Sequence, residues 1–313
     1  MSTAPQKAAA DPSGVAGGLN VQFCRQDARA AFRALLQYMP MALAVHELMR
    51  MRALAEVGVL PTPLLDVGCG DGLFWEVLTR DLLSGKSENV AGLVGIDINA
   101  DELKLASVRL SPIGGDVRKV DITDQGSQRA LDDRLGTFKT VIANCSLEHV
   151  PKLELALANI KRHMAPDGEL FLFVPAPRWS DAYVVKRVLN KISSRLGGTY
   201  GGMWDGFYRH HHLYSGNVWT YLLRGVGFES QVRAIGSKRA NVIRELWLPP
   251  ALLSFLYKCV FKHYPARLVA PLKYWYLPRI DEFLAEVERG SVVHDDLENP
   301  EVIEYVIRAR IAQ

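Results

Sequence analysis

Residues 66–72 read Asp-Val-Gly-Cys-Gly-Asp-Gly, a stretch that combines a leading carboxylate with three glycines at alternate positions. Glycines permit a tight turn and let main-chain amides approach a bound molecule closely, as at the start of a helix. A nicotinamide-binding fingerprint has its third glycine one position later, where it seats a pyrophosphate. Because a carboxylate at Asp66 repels a pyrophosphate, the stretch favours a ligand with a cationic amino acid group.

Two further acidic residues follow short apolar runs. Asp97 ends the run Val94-Gly95-Ile96, and a carboxylate at the tip of a strand can accept both hydroxyl protons of a ribose. In Val120-Asp121-Ile122, Asp121 can accept a hydrogen bond from an adenine amino group while Ile122 packs on the ring. Asp116 and Asp124 compete for the role of Asp121.

Three consecutive histidines, His210, His211 and His212, suggest either metal binding or proton transfer. Neighbouring side chains of an extended segment point to opposite sides, so these three do not readily converge on one ion. A neutral histidine can accept a proton from a substrate hydroxyl near neutral pH. We therefore predict one of them as a general base, with Tyr208 and Asp205 as secondary candidates; the alternative is a polar loop that closes over a pocket.

The elements that would position these residues alternate between strand and helix. Short apolar runs at Leu64–Val67, Gly92–Ile96, Thr140–Ala143 and Leu170–Val174 lack polar alternation, and the segments between them are long enough for helices. This pattern predicts a parallel sheet covered on both faces. The fold class is therefore α/β, a Rossmann-like doubly wound sheet with right-handed crossovers.

The series of motifs resembles class I S-adenosylmethionine-dependent methyltransferases, and is most similar to the small-molecule branch that includes ubiquinone-type O-methyltransferases. The resemblance covers about residues 60–235 and implies a seven-stranded sheet with a reversed last strand. It implies S-adenosyl-L-methionine as the cofactor. The cofactor-binding residues that it implies are Asp66, Gly68, Cys69, Gly70 and Gly72 at the methionine part, Asp97 and Ile98 at the ribose, Asp121 and Ile122 at the adenine, and Asn144 near the amino group.

Some relatives with a Leu-Glu-His-Val stretch bind a divalent ion through residues like Glu148 and His149 and a further carboxylate. Here the third position is Cys145, and such ions prefer oxygen donors. We therefore expect no metal. Glu148 and His149 then cap and orient the following helix, and His149 remains a catalytic candidate.

The resemblance divides the chain into a flexible leader (1–20), an N-terminal helical cap (21–60), a methyltransferase domain (61–245) and a helical extension (246–313). A substrate-shaping insertion is expected at about 178–204. From Leu246 to Arg279 the extension is basic, rich in aromatic residues and free of carboxylates. Such an element can lie on an anionic membrane surface, bind an anionic lipophilic substrate, form a subunit interface or simply pack on the core.

Amino-acid composition and charge bear on three other classes: nucleic-acid-binding, disulfide-rich and membrane-spanning proteins. The 313 residues are 49% hydrophobic with a net charge of +3, too mild a charge to indicate nucleic acid by itself. Four scattered cysteines exclude a disulfide scaffold and suggest a reducing compartment, and no apolar run reaches the roughly 18 residues that span a bilayer. We therefore expect a cytoplasmic protein, with peripheral membrane contact and a homodimer as further expectations.

The sequence thus predicts methyl transfer to a small or lipid-like molecule, with oxygen as the favoured acceptor. The alternatives are a carbon or nitrogen acceptor on an anionic lipophilic substrate, such as an isoprenoid-type one, and a cofactor-binding partner subunit without activity. Nucleic-acid methylation is disfavoured, because the fourth strand ends in Asn144-Cys145-Ser146-Leu147 rather than in a base-holding motif.

Overall fold

The computed structural model describes residues 18–21, 28–82, 90, 92–124, 137–245 and 280–313, and the statements below concern these residues. The strands are β1 (Gly18–Asn20), β2 (Val59–Pro61), β3 (Leu64–Val67), β4 (Leu93–Asp97), β5 (Asp116–Lys119), β6 (Phe138–Asn144), β7 (Met164–Pro175), β8 (Phe228–Ile235), β9 (Val293–His294) and β10 (Glu304–Ile311). The helices are α1 (Ala28–Tyr38), α2 (Met41–Ala55), α3 (Leu73–Val77), α4 (Ala100–Leu110), α5 (Leu153–Arg162), α6 (Val184–Ile192), α7 (Ser194–Tyr208), α8 (Gly216–Val226), α9 (Lys238–Glu245) and α10 (Asp281–Arg289). Short helical turns lie at Leu78–Leu82, Ser111–Ile113, Leu147–His149 and Trp179–Ala182.

The central sheet has eight strands in the order β5-β4-β3-β6-β7-β10-β8-β9. Strands β3 to β7 pair in parallel, and β10 runs antiparallel between β7 and β8. This confirms the predicted α/β sheet and its reversed last strand. The predicted count of seven strands is wrong by one, because Val293–His294 pairs with the end of β8 as a two-residue edge strand.

Both faces of the sheet are covered, which explains why its strands lack polar alternation. Successive residues of a strand point to opposite faces. In β7, Phe171 and Phe173 pack in one core cluster with the cap helices α1 and α2, whereas Leu170 and Leu172 pack in the other with α5 and α8. The N-terminal helices are therefore one layer of the domain itself.

The C-terminal part of the chain corrects one expectation. Residues 246–313 were expected to be helical, but Glu304–Ile311 form β10, which lies in the interior of the sheet. Charged residues within Glu304–Ile311 make this segment unlike a buried interior strand when the sequence is considered alone. Arg308 and Arg310 both pair with Glu169 of β7, so the charged side chains of the strand are neutralised by a neighbour 139 and 141 residues away.

The insertion expected at about 178–204 contains the turn at Trp179–Ala182, the helix α6 and most of the helix α7, which ends at Tyr208. The basic, aromatic-rich segment from Leu246 to Arg279 lies outside the described residues. None of the described helices is long and apolar enough to cross a bilayer.

Candidate active site

A cavity of about 360 Å³ opens at the carboxyl ends of β3, β4 and β6. In an open α/β sheet this edge is where ligands bind, outside the ends of the parallel strands. Six of the residues that the sequence singles out line the cavity: Gly68, Asp97, Ile98, Asp121, Ile122 and His149. The structure therefore brings residues from four separate sequence segments to one place.

The three glycines of the turn differ in their surroundings: Gly68 and Gly72 are closely packed, whereas Gly70 borders open space. Gly68, Gly70 and Gly72 all have positive φ, at 79°, 53° and 75°. A Cβ at Gly68 would lie 2.4 Å from the Cβ of Ser146, and one at Gly72 would lie 3.1 Å from the Cα of Ala106. At Gly70 an added Cβ meets nothing within 4 Å. Gly70 is thus the position at which a ligand can approach the main chain.

Asp97 ties this turn to the tip of β4. Its Oδ2 accepts a hydrogen bond from the Gly70 amide at 3.0 Å, and its Oδ1 accepts one from the Asn99 amide at 2.8 Å. The carboxylate is half-buried in the cavity wall, and Ile98 beside it is 66% exposed. This placement leaves Asp97 within reach of the hydroxyl groups of a bound molecule.

The predicted adenine residues also line the cavity. Asp121 is exposed to the cavity, and its Oδ1 accepts hydrogen bonds from the amide and the hydroxyl of Thr123 at 2.8 and 2.7 Å. Ile122 is buried, and its carbonyl accepts a hydrogen bond from Asn159 at 2.8 Å. The competing residues Asp116 and Asp124 do not line the cavity.

Two buried oxygen atoms without partners lie on neighbouring strands beneath the turn. Asp66 accepts a hydrogen bond from the Trp75 indole at 2.7 Å through Oδ2, while its Oδ1 has no partner; burial raises the pKa of this carboxyl to about 7. Asn144 donates to Glu47 Oε2 at 3.1 Å, and its Oδ1 also has no partner. Neither residue lines the cavity itself.

Cys69 has a different role from its neighbours in the turn. Its side chain is buried in a cluster with Leu103 and Ala106 of α4, and its amide donates to the Ile96 carbonyl at 3.0 Å. It does not line the cavity. Its contribution is therefore to packing the turn against α4.

Glu148, His149 and His210 converge at the edge of the cavity. One ligating atom from each lies within 4.8 Å of the others, and the two imidazole rings stack at a centroid distance of 5.4 Å. Glu148 is 1% exposed, and burial raises its pKa to about 7. Its Oε1 lies 3.7 Å from His149 Nε2, and its Oε2 has no hydrogen-bond partner. Glu148, His149 and His210 together could hold a metal ion. The sequence-based expectation that the site holds no metal therefore stays a prediction.

The three consecutive histidines do not act alike. Burial and the nearby His149 lower the pKa of His210 to about 4, so its imidazole is neutral at pH 7, and its buried Nδ1 has no hydrogen-bond partner. His211 is exposed. His212 uses both ring nitrogens, one with the Tyr214 hydroxyl at 3.0 Å and one with the Val150 carbonyl at 2.8 Å. Of these three histidines, His210 is the one with a buried ring nitrogen that has no hydrogen-bond partner.

An aromatic wall continues from this cluster into the insertion. The Trp179 ring contacts Tyr208 and His210 edge-on at centroid distances of 5.5 and 5.4 Å, and Tyr208 stacks on His210 at 5.6 Å. Burial raises the pKa of Tyr208 to about 12, which keeps its hydroxyl protonated. Asp205 accepts a hydrogen bond from the Trp179 indole at 2.8 Å and so orients this wall.

Beneath the wall lies a buried charge network that the sequence did not reveal. Arg50 of α2 donates to both carboxylate oxygens of Glu304, through Nε at 2.8 Å and Nη2 at 2.5 Å, and also to Glu47 at 2.9 Å. His46 Nδ1 lies 2.5 Å from Glu304 Oε1. Burial by itself raises the pKa of Glu304, but Arg50 and His46 outweigh burial and hold that pKa well below its usual range. Arg50 and His46 lie 254 and 258 positions from Glu304 in the chain, and no sequence motif connects residues so far apart.

Comparisons with known proteins agree with this geometry. A family model described as a methyltransferase domain matches residues 32–231. The highly reducing polyketide synthase FUM1 of Gibberella moniliformis is 28% identical over 173 residues, which are 55% of this chain and 6% of that protein. The ubiquinone biosynthesis O-methyltransferase of Dechloromonas aromatica is 32% identical over 109 residues, 35% of this chain and 42% of that protein. The chain thus matches less than half the length of these curated relatives.

Among solved structures, a SAM-dependent methyltransferase from Thermotoga maritima, titled a possible histamine N-methyltransferase, has a TM-score of 0.46 at 15% identity. The match covers 85% of this chain and 88% of that one.

The residues that line the cavity and those directly beneath it fit S-adenosylmethionine. Gly70 leaves its main chain open to a ligand, Asp97 stands at the cavity wall, and the buried Oδ1 atoms of Asp66 and Asn144 lack the donor that an ammonium group would provide. The family model spans well over half of the 313 residues. The chain therefore belongs to the methyltransferase-domain family.

Proposed function

We propose that this protein methylates a hydroxyl oxygen of a small or lipid-like molecule, with His210 as the group that accepts the hydroxyl proton. The observation that carries the proposal is the convergence of neutral His210 with His149 and buried Glu148 at the edge of the cavity. S-adenosylmethionine supplies an electrophilic methyl group when it is bound. A protonated oxygen nucleophile must lose its proton during the reaction, so a positioned base is useful there.

The cofactor is held by residues in or just after the four parallel strands β3, β4, β5 and β6. Asp97 accepts hydrogen bonds from the ribose hydroxyls, Asp121 accepts one from the adenine amino group, and Ile122 packs on the ring. Asp66 and Asn144 pair with the ammonium group through the oxygens that lack partners in the protein. Holding both reactants in alignment is the main contribution of the protein, worth about 7–11 kcal/mol when near-attack geometry is kept.

Glu148 supports His210 as the proton acceptor. With a pKa of about 4, His210 alone is a weak base, but Glu148 has a pKa of about 7 and an oxygen without a partner. An ionised Glu148 stabilises the imidazolium that forms when His210 takes the proton. Tyr208, protonated and stacked on His210, limits the movement of the imidazole.

Two variants test this assignment against a cell extract as the source of acceptors. Mass spectrometry should detect a product heavier by one methyl group in the presence of wild-type protein. His210→Ala should lower turnover by about 10²–10⁴ while the affinity for S-adenosylhomocysteine is retained. His211→Ala is the matched control, because that side chain is exposed, and it should remain close to wild type.

Each contrary result has a distinct meaning. If His210→Ala and His211→Ala both lower turnover only slightly, His210 is not the base and the assignment fails. If wild-type protein binds S-adenosylhomocysteine but methylates nothing in the extract, methyl transfer by this chain fails and a cofactor-binding partner subunit is favoured.

A carbon acceptor is the second candidate, because the match to a polyketide synthase spans 55% of the chain. The same histidine can remove a proton from an acidic carbon next to a carbonyl group. Transfer of a ¹³C-labelled methyl group separates the two functions, since the ¹³C shift of a methyl ether differs widely from that of a methyl on carbon.

A further inference from the structure

Two arginines are buried at the acceptor side of the carboxyl edge, and their partners differ. Arg50 is 7% exposed and Arg244, on α9, is 3% exposed. Arg50 has Glu304 and Glu47 as ion-pair partners. Arg244 forms no ion pair with any carboxylate in the described part of the chain. A guanidinium that is buried without a carboxylate is costly unless something else compensates its charge.

The contacts of Arg244 compensate that charge only in part. Its Nη1 lies 3.4 Å from His46 Nε2 and its Nη2 lies 3.4 Å from the Trp179 carbonyl, both long for hydrogen bonds. The guanidinium lies 3.9 Å from the centroid of the Tyr183 ring, a cation–π contact. The adjacent Glu245 directs its carboxylate to the amides of Val184 and Val185.

The two arginines differ most clearly at the Nε–Nη2 edge of the guanidinium, which is the edge that binds a carboxylate in Arg50. Arg50 holds Glu304 through Nε and Nη2, a side-on bidentate pair. On Arg244 the same edge has an Nε that is buried without a hydrogen-bond partner, and an Nη2 with only the 3.4 Å contact to Trp179. One protein thus shows both the occupied form of this edge and the form that lacks a carboxylate.

We infer that Arg244 binds a carboxylate of the methyl acceptor, and that the substrate is an aromatic or unsaturated carboxylic acid. The inference rests on the proposed function, because it orients the acceptor relative to His210. Trp179 joins the two ends: its ring contacts His210 at 5.4 Å, and its carbonyl faces Arg244. An acceptor lying along Trp179 presents its nucleophilic atom to His210 and its carboxylate to Arg244, where it replaces the long contact to the carbonyl.

The surroundings favour a planar, apolar body between these two ends. Trp179, Tyr183 and Tyr208 form a connected cluster of rings that contacts both Arg244 and His210. A bidentate, planar guanidinium favours the planar carboxylate, and desolvation by the rings strengthens the pair.

The test uses full-length protein saturated with S-adenosylhomocysteine, and calorimetry with 4-hydroxycinnamate and its methyl ester as probes. The acid should bind at least tenfold more tightly than the ester. Arg244→Met should remove this preference by weakening the acid while the ester is unaffected, and Arg244→Lys should restore part of it. Arg239→Met is the matched control, because Arg239 lies on the same helix but is exposed and paired with Glu282 and Glu286.

Affinity for S-adenosylhomocysteine confirms in each variant that the cofactor half is folded. The inference is overturned if wild type binds acid and ester alike, if neither probe binds, or if Arg244→Met keeps the preference. Failure of the proposed function appears separately, as normal turnover in His210→Ala. If His210→Ala lowers turnover but wild-type protein does not prefer the acid to the ester, the proposed function stands and the inference about Arg244 fails.

Discussion

The cofactor half and the acceptor half of the carboxyl edge are built in different ways. On the proposed cofactor side, carboxylates at the strand tips accept hydrogen bonds from main-chain amides of turns, such as Asp121 from Thr123 and Asp97 from Gly70. On the acceptor side, the groups are buried charges joined across the whole chain, with Arg50 and Glu304 separated by 254 positions. Recognition of a fixed cofactor needs only turns and strand tips, whereas the acceptor side depends on how distant elements pack.

The largest effect should come from breaking the acceptor-side network. Glu304→Gln removes the anion that Arg50 and His46 share, and should lower the free energy of unfolding by about 3–5 kcal/mol. Urea denaturation at pH 7 measures it, with exposed Glu298→Gln as the control.

The same variant has a defined pH dependence. The pKa of Glu304 is depressed in the folded protein, so its stabilisation is present above the unfolded value of about 4.3 and is lost as pH falls towards the folded pKa. The difference between wild type and Glu304→Gln should therefore shrink below about pH 4. A difference that is small at pH 7, or that grows on acidification, would show that the two halves do not differ as described.

The next effect tests the cofactor half. Asp97→Ala should weaken binding of S-adenosylhomocysteine by about 1–3 kcal/mol, because buried polar partners are left without an acceptor. Calorimetry measures the change, and Asp101→Ala, an exposed carboxylate of α4, is the control. Since Asp97 also holds the Gly70 amide, Asp97→Asn, which keeps one acceptor oxygen, should lose less. Unchanged affinity in a folded Asp97→Ala protein contradicts the ribose assignment.

A pH effect sharpens the role of Asp66. Burial raises its pKa to about 7, so it is largely protonated at pH 6 and ionised at pH 8. A bound ammonium group favours the ionised form, and affinity for S-adenosylhomocysteine should therefore rise with pH, by about tenfold from pH 6 to 8. Asp66→Asn should flatten the profile, and 5′-methylthioadenosine, which lacks the amino acid part, should show no rise. A similar rise with 5′-methylthioadenosine would assign the titration to another group.

The smallest effect is expected at the contact between Glu47 and Asn144, which joins the acceptor half to the cofactor half. Glu47 of the cap helix accepts a hydrogen bond from Asn144 and leaves Asn144 Oδ1 free to face a donor. Glu47→Ala should weaken S-adenosylhomocysteine by about 0.5–1.5 kcal/mol through the loss of this orientation. Glu47→Gln, which still offers an acceptor, should recover most of it. Equal losses for 5′-methylthioadenosine would show that the effect is a general loosening of the cap.

Local parts of the fold could be predicted because their physical causes are local. Helix α8 shows such local causes: the Ser215 hydroxyl accepts a hydrogen bond from the Val218 amide at 3.4 Å where the helix begins, and Gly227 ends the helix with φ 85°. The strand Leu64–Val67 is confirmed at its predicted bounds. The predicted run Leu170–Val174 lies within the longer strand β7, Met164–Pro175.

The sequence by itself determined the α/β fold class, because its apolar runs are short-range patterns, and it implied the cofactor through the family resemblance that the glycine turn and the acidic strand tips carry. Tertiary structure alone decided that β10 enters the interior of the sheet, that His210 rather than His212 meets Glu148, and that Arg50 is paired while Arg244 is not. The reason is that a buried charge is defined by its neighbours: which residues exclude water from it and which offset it depends on packing between elements far apart in the chain.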